Sequence, residues 1–147
     1  MKRFLILALA FCLLFGAALC EETETLMDRV LLLVEDATDL VVMGDDDLFD
    51  LIGIDPADCE DYVYLASADA ISGRELIVVI AKDDDAADLA EEMLQAYLES
   101  RLRETRNYFP EAYQALTEAE VVRQDRVLIL SVAAPSADEA QILLPEE

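Results

Sequence analysis

Two kinds of side-chain cluster in this sequence have types and spacings that could support chemistry. The first is acidic. Asp45-Asp46-Asp47 and Asp83-Asp84-Asp85 are runs of carboxylates, and Asp55, Asp58, Glu60 and Asp61 lie close together. Carboxylate oxygens suit a hard cation, Ca2+ above all. The EF-hand spacing fails: counting from Asp45, the sixth position is Asp50 rather than Gly, and the twelfth is Pro56 rather than Glu. The plainer reading is that these acids open helices, where Asp caps free N–H groups and complements the helix dipole. The second cluster is cationic. Arg101, Arg103 and Arg106 fall close together, with Tyr108 and Tyr113 nearby. Such a group can hold a small anion, or dock an acidic partner or wall polymer. Arginines at the end of a helix also complement its dipole and pair with local Glu, so a purely structural role stands beside that one.

Other chemistries find little support. Among 147 residues there are 33 Asp+Glu, 10 Lys+Arg and no His, for a net charge of −23. A surface so acidic lacks the positive patch that nucleic acid requires. Without His there is no imidazole base or ligand. Ser67, Ser72, Ser100, Ser131 and Ser136 therefore have no ordinary activating partner. A carboxylate pair could hydrolyse a glycoside, but the abundance of acids makes any single pair uninformative. Cys59 sits between Asp58 and Glu60, which oppose thiolate formation. No enzymatic reading is favoured, and no cofactor is implied.

The N-terminus sets the compartment. Lys2 and Arg3 precede an unbroken apolar run from Phe4 to Phe15, followed by Gly16-Ala17-Ala18. This is the layout of an export signal over 1–20. Three fates fit. Cleavage can follow Ala18 or Cys20. Alternatively, Ala17-Ala18-Leu19-Cys20 can act as a lipobox, with Cys20 lipidated, although Leu19 stands where Gly or Ala is usual. Or the segment can be retained as an anchor. Each places residues 21–147, read as one acidic domain, outside the cytoplasm. The domain is then free, or held to the membrane by the segment or a lipid. All 33 acids lie beyond residue 20 and two of the cations before it, so this domain carries −25. With Cys12 and Cys20 in the signal, Cys59 is the one internal thiol and no disulfide framework exists.

These residues must be positioned by local elements. Thr25 and Asp28 resemble a capping box for a helix over about 24–36. Val41-Val42-Met43 is a short apolar stretch ended by Gly44. A short helix is expected near 46–52, and another from Pro56 with Asp55 as its cap. Tyr62–Ala66 and Leu76–Ala81 read as a strand hairpin. Asp83–Asp85 opens the longest helix, roughly 84–107, with Leu89, Met93, Leu94, Tyr97 and Leu98 inward and Glu99 paired to Arg103. A helix over 110–117, a hairpin of Val121–Arg123 with Arg126–Val132 around Gln124-Asp125, and a final helix over 137–144 capped by Ser136 complete the chain. The order predicts an α+β two-layer sandwich, an antiparallel sheet of about four strands packed on one long helix plus shorter helices.

Several of these features carry a family resemblance over about residues 24–143. They are Gly53-Ile54-Asp55, Asp61-Tyr62, Glu75-Leu76-Ile77 leading into Lys82-Asp83, Arg101, Tyr108, Pro110-Glu111-Ala112-Tyr113 and the Val127–Val132 strand. In their order and spacing the chain is similar to the DUF4358 family, exported bacterial proteins of which many are predicted lipoproteins. The resemblance implies a place in a bacterial envelope and an α+β architecture, and no chemistry. The resulting expectation is a non-enzymatic domain that binds or scaffolds other envelope components, with a cation- or small-ligand-binding module as the alternative and a carboxylate hydrolase as the least favoured.

Overall fold

The computed structural model describes residues 25–34, 37–69 and 72–133. The export signal expected at 1–20 with Cys20, residues Ala70 and Ile71, and the helix expected over 137–144 lie outside the described residues.

The fold is α+β, built on one antiparallel sheet of five strands. These are β1 (Leu40–Val42), β2 (Cys59–Ser67), β3 (Glu75–Ala81), β4 (Val121–Gln124) and β5 (Val127–Val132), in the order β1-β2-β3-β5-β4. About four strands were expected; the fifth is β1, at the sheet edge. Its residues are too few to show a pattern of their own, and pairing defines them. Leu40 lies opposite Ser67 and Val42 opposite Leu65, on a β2 that runs further than its apolar centre suggests. The β4–β5 turn also falls one residue later than expected. Gln124 pairs with Val127, so Asp125 and Arg126 form the loop. Asp125 takes φ +52°, a left-handed conformation that Asp tolerates better than most residues.

The helices begin where their caps dictate. α1 (Leu26–Leu33) starts at a reciprocal box: Asp28 N–H donates to the Thr25 hydroxyl at 3.2 Å, and Thr25 N–H donates to the Asp28 carboxylate at 3.1 Å. α2 (Asp45–Asp47) is one turn that runs into a π turn, Leu48–Ile52, ended by Gly53 at φ +91°. Asp55 caps a 3-10 turn at Pro56–Asp58 through Ala57 N–H at 2.8 Å. Asp83 caps α3 (Asp84–Thr105) through Ala86 N–H at 2.8 Å. α4 spans Pro110–Glu118.

Strand alternation sends side chains to two buried faces. Tyr64, Ile77, Val79, Leu128 and Leu130 pack beneath α3, α4 and the π turn, against Leu48, Leu94 and Leu116. Val63, Leu65, Leu76, Val78 and Ile129 form a second core with Leu26 and Val30 of α1. The sheet and α3 make the main sandwich, and α1 seals the opposite face. Leu89, expected inward, is 48% exposed, because α3 approaches the sheet along Ala87, Ala90 and Leu94. The expected Glu99–Arg103 pair does not form among the described residues; the helix is tied to the sheet instead by Arg101 to Glu75 of β3 and by Asp88 and Glu91 to Arg123 of β4. Just before β3, Gly73 adopts φ +60°, and a Cβ there would lie 2.7 Å from the Ala112 Cβ of α4. That close approach fixes the loop that delivers Glu75 to the sheet.

Candidate functional site

Glu75 opens β3 on the same face as Ile77 and Val79, so the pleat turns its carboxylate inward, 5% exposed. A buried carboxylate is costly unless charge and hydrogen bonds meet it. Here Arg101 Nη2 lies 2.9 Å from Oε1, and the Tyr97 hydroxyl donates to Oε2 at 2.8 Å. The Tyr64 hydroxyl shares a 3.3 Å bond with that of Tyr97. The placement follows from regular geometry. Tyr97 and Arg101 are one helical turn apart, on the face of α3 that Leu94 anchors. Tyr64 lies diagonally across from Glu75, since Ala66 pairs with Glu75 and Tyr64 with Ile77.

Burial pushes the Glu75 carboxyl above its ordinary range, against the pull of Arg101 and the Tyr97 hydrogen bond. Burial and the Glu75 charge together raise the Tyr97 and Tyr64 phenols, which keeps Tyr97 a donor. For Arg101, burial alone would lower the pKa; Glu75 and the two tyrosines outweigh it and raise it. The pair is nonetheless end-on. Arg101 Nε is buried and has no partner among the described residues, so the two parallel bonds of a forked pair are not made.

This network is the floor of an open cleft of about 580 Å³. One wall is apolar, from Met43, Leu51 and Ile52; the other is the last turns of α3, with Ser100, Arg103 and Glu104. The π turn supplies Leu51, whose side chain stays exposed. Of the arginine and tyrosine cluster, Arg101 and Arg103 line the cleft. Arg106, Tyr108 and Tyr113 are not part of its lining, and Tyr108 stands 78% exposed beyond α3. The acid triplets open helices. Asp45 receives the Tyr62 hydroxyl, Asp47 receives Gly44 N–H at 2.9 Å, Asp46 lies between them in the same turn, and Asp83 caps α3, with Asp84 and Asp85 in its first turn. Among the described residues no three acidic or thiol groups gather where they could hold a metal ion.

Composition and spacing do not mark Glu75, Tyr97 or Tyr64 as site residues. The signal was present in two pieces: an acid in phase with the inward positions of an apolar strand, and a Tyr–Arg pair at helical spacing. Neither piece is informative until the two faces are known to meet.

Cys59 is buried at the start of β2, its thiol 3.7 Å from the Asp55 carbonyl oxygen. Burial first, then Asp58, push its pKa up to about 11. At pH 8 this leaves about a hundredfold less thiolate than an ordinary cysteine carries. Iodoacetamide labelling, followed by mass spectrometry of the Cys59 peptide, should be correspondingly slow in buffer and rapid in denaturant; equal rates would contradict the burial.

Among the described residues no helix is long and apolar enough to cross a membrane. A family model for a domain of unknown function, DUF4358, matches residues 34–133. No curated protein and no solved structure matches the chain.

Proposed function

The chain belongs to the DUF4358 family, a domain of unknown function, and we propose that it is a non-enzymatic binding domain that works outside the cytoplasm and receives its ligand in the cleft over Glu75 and Arg101. The observation that carries this reading is the position of the ion pair. A buried charged pair is costly in a core that apolar side chains could fill. Here it floors an open, half-apolar concavity, the usual form of a small-molecule site. Catalysis is disfavoured by how the same groups are spent. Both Glu75 oxygens are engaged, and the Ser100 hydroxyl donates at 3.3 Å to Glu104, an exposed carboxylate and too weak a base to activate a serine. The extracytoplasmic placement rests on the residue pattern of positions 1–20, and the intact mass of the exported protein tests it by reporting lipidation, cleavage or retention at Cys20.

The cleft is tested by thermal melts of the full chain across a library of small metabolites. A true ligand raises the melting temperature by mass action. Ala96 is exposed and lines the cleft, so Ala96→Trp should fill it without disturbing the core. The expected result is a ligand whose shift is lost in Ala96→Trp. A library with no such ligand, or one whose shift survives that substitution, would refute the assignment.

A further inference from the structure

On the reading that the cleft is a binding site, we infer that its ligand is a small monoanionic carboxylate with an apolar body, held at the carboxylate end by Arg103 and Arg101. The charge inventory points there. Arg74, Arg123 and Arg126 each commit their guanidinium to a carboxylate. Arg103 lines the cleft, is exposed, and joins no ion pair among the described residues. Arg101 meets its carboxylate through Nη2 alone, and 23% of its side chain remains open. The cleft therefore holds more hydrogen-bond donors than its own acceptors use. An ammonium ligand would find fewer open partners: both Glu75 oxygens are engaged and Glu104 Oε1 receives Ser100, which leaves Glu104 Oε2 as the uncommitted carboxylate oxygen among the described lining residues.

The rest of the ligand follows from the opposite wall. Leu51 is 52% exposed beside Met43 and Ile52, apolar surface that an apolar body would cover. The charge is limited to one by the whole chain. At a net −23, the protein's field opposes every added negative charge, so a dianion such as phosphate is repelled more strongly for the same two guanidiniums.

The test is equilibrium dialysis of the full chain with labelled hexanoate, and with hexylamine and inorganic phosphate as contrasting probes. Saturable hexanoate binding is expected, weaker binding of both contrasts, and a loss of about tenfold or more in Arg103→Gln. Arg103 is exposed, so this variant should keep its melting temperature. Leu51→Ser should also weaken hexanoate. Failure of hexanoate to bind, tighter binding of either contrast, or hexanoate binding unchanged by both substitutions would overturn the inference. If hexylamine binds and Ala96→Trp abolishes it, the carboxylate assignment falls while the cleft remains a binding site. If no probe binds and the metabolite library yields no cleft-dependent ligand, both fall.

Discussion

Replacing Arg101 with Leu is expected to destabilise the protein by about 3–5 kcal/mol, the scale for breaking a buried ion pair at one partner. Glu75 is fixed to a strand between Ala66 and Val132, and its side chain is 6% exposed, so the orphaned carboxylate stays largely desolvated. The reverse substitution, Glu75→Leu, should cost less, about 1–3 kcal/mol. Arg101 hangs from a long stem beside the cleft and can turn its charge into solvent. The double variant should return to within about 2 kcal/mol of the parent, since an apolar pair can replace a buried ionic one. Denaturant unfolding of the four proteins measures this coupling directly; additive losses would mean that the pair does not act as a unit. The pH dependence gives an independent reading. The folded pKa of Glu75 is raised above its ordinary value of 4.5, so its contribution to stability is fully present below that value and is lost as pH rises through the folded pKa. Removing Arg101 raises the folded pKa further. The deficit of Arg101→Leu relative to the parent should therefore widen from pH 4 to pH 7, and a constant deficit would show that packing, not charge, was lost.

The second large effect is expected at Gly73. Gly73→Ala should cost about 2–5 kcal/mol: about 1–2 for an L-residue at φ +60°, and about 1–3 for the overlap with Ala112. The new Cβ would lie 2.7 Å from the Ala112 Cβ and 3.1 Å from its Cα, and a helix backbone cannot yield as a flexible side chain can. Adding Ala112→Gly should recover part of the loss even though glycine alone weakens α4 by about 1 kcal/mol. Urea melts decide it: a double variant no more stable than Gly73→Ala would refute contact with α4 as the cause. Gly53 is the natural contrast. It also has positive φ, but its nearest neighbour is the Met93 sulfur at 3.2 Å, at the adaptable end of an unbranched chain. Gly53→Ala should be the milder change.

The two positions also show which parts of the fold a sequence reveals. Local signals suffice where local physics decides. Thr25, Asp55 and Asp83 cap helices because their side chains reach N–H groups two or three residues away. Leu76–Ala81 is a strand on composition alone. What could not be read is long-range. β1 exists because Ser67 and Leu65 offer it partners, and nothing within Leu40–Val42 announces that. Leu89 looked inward by spacing and is outward because the small residues Ala87 and Ala90 set the line of closest approach. Glu75 and Arg101 were both visible as residues of the family pattern, yet their contact depends on the pleat of β3 and the rotation of α3 together. The site's charge chemistry was legible at Arg101 and Arg103, whereas its carboxylate floor and apolar wall became apparent only with the packing.

The π turn at Leu48–Ile52 makes the shape of the cleft a matter of chain length. Such a turn is an α-helical turn carrying one surplus residue. Deleting Asp50 would let the backbone ladder close as ordinary α-helix, and one residue of an α-helix is about 100° of rotation. Leu48 and Ile52, both buried in the main core, would then stand three residues apart and could still share that face, so the change of rotation would fall on Leu51 and move it from the cleft rim. Length variation in this segment, rather than substitution of any cleft side chain, is thus the change through which the same sheet and long helix would come to present a different binding wall.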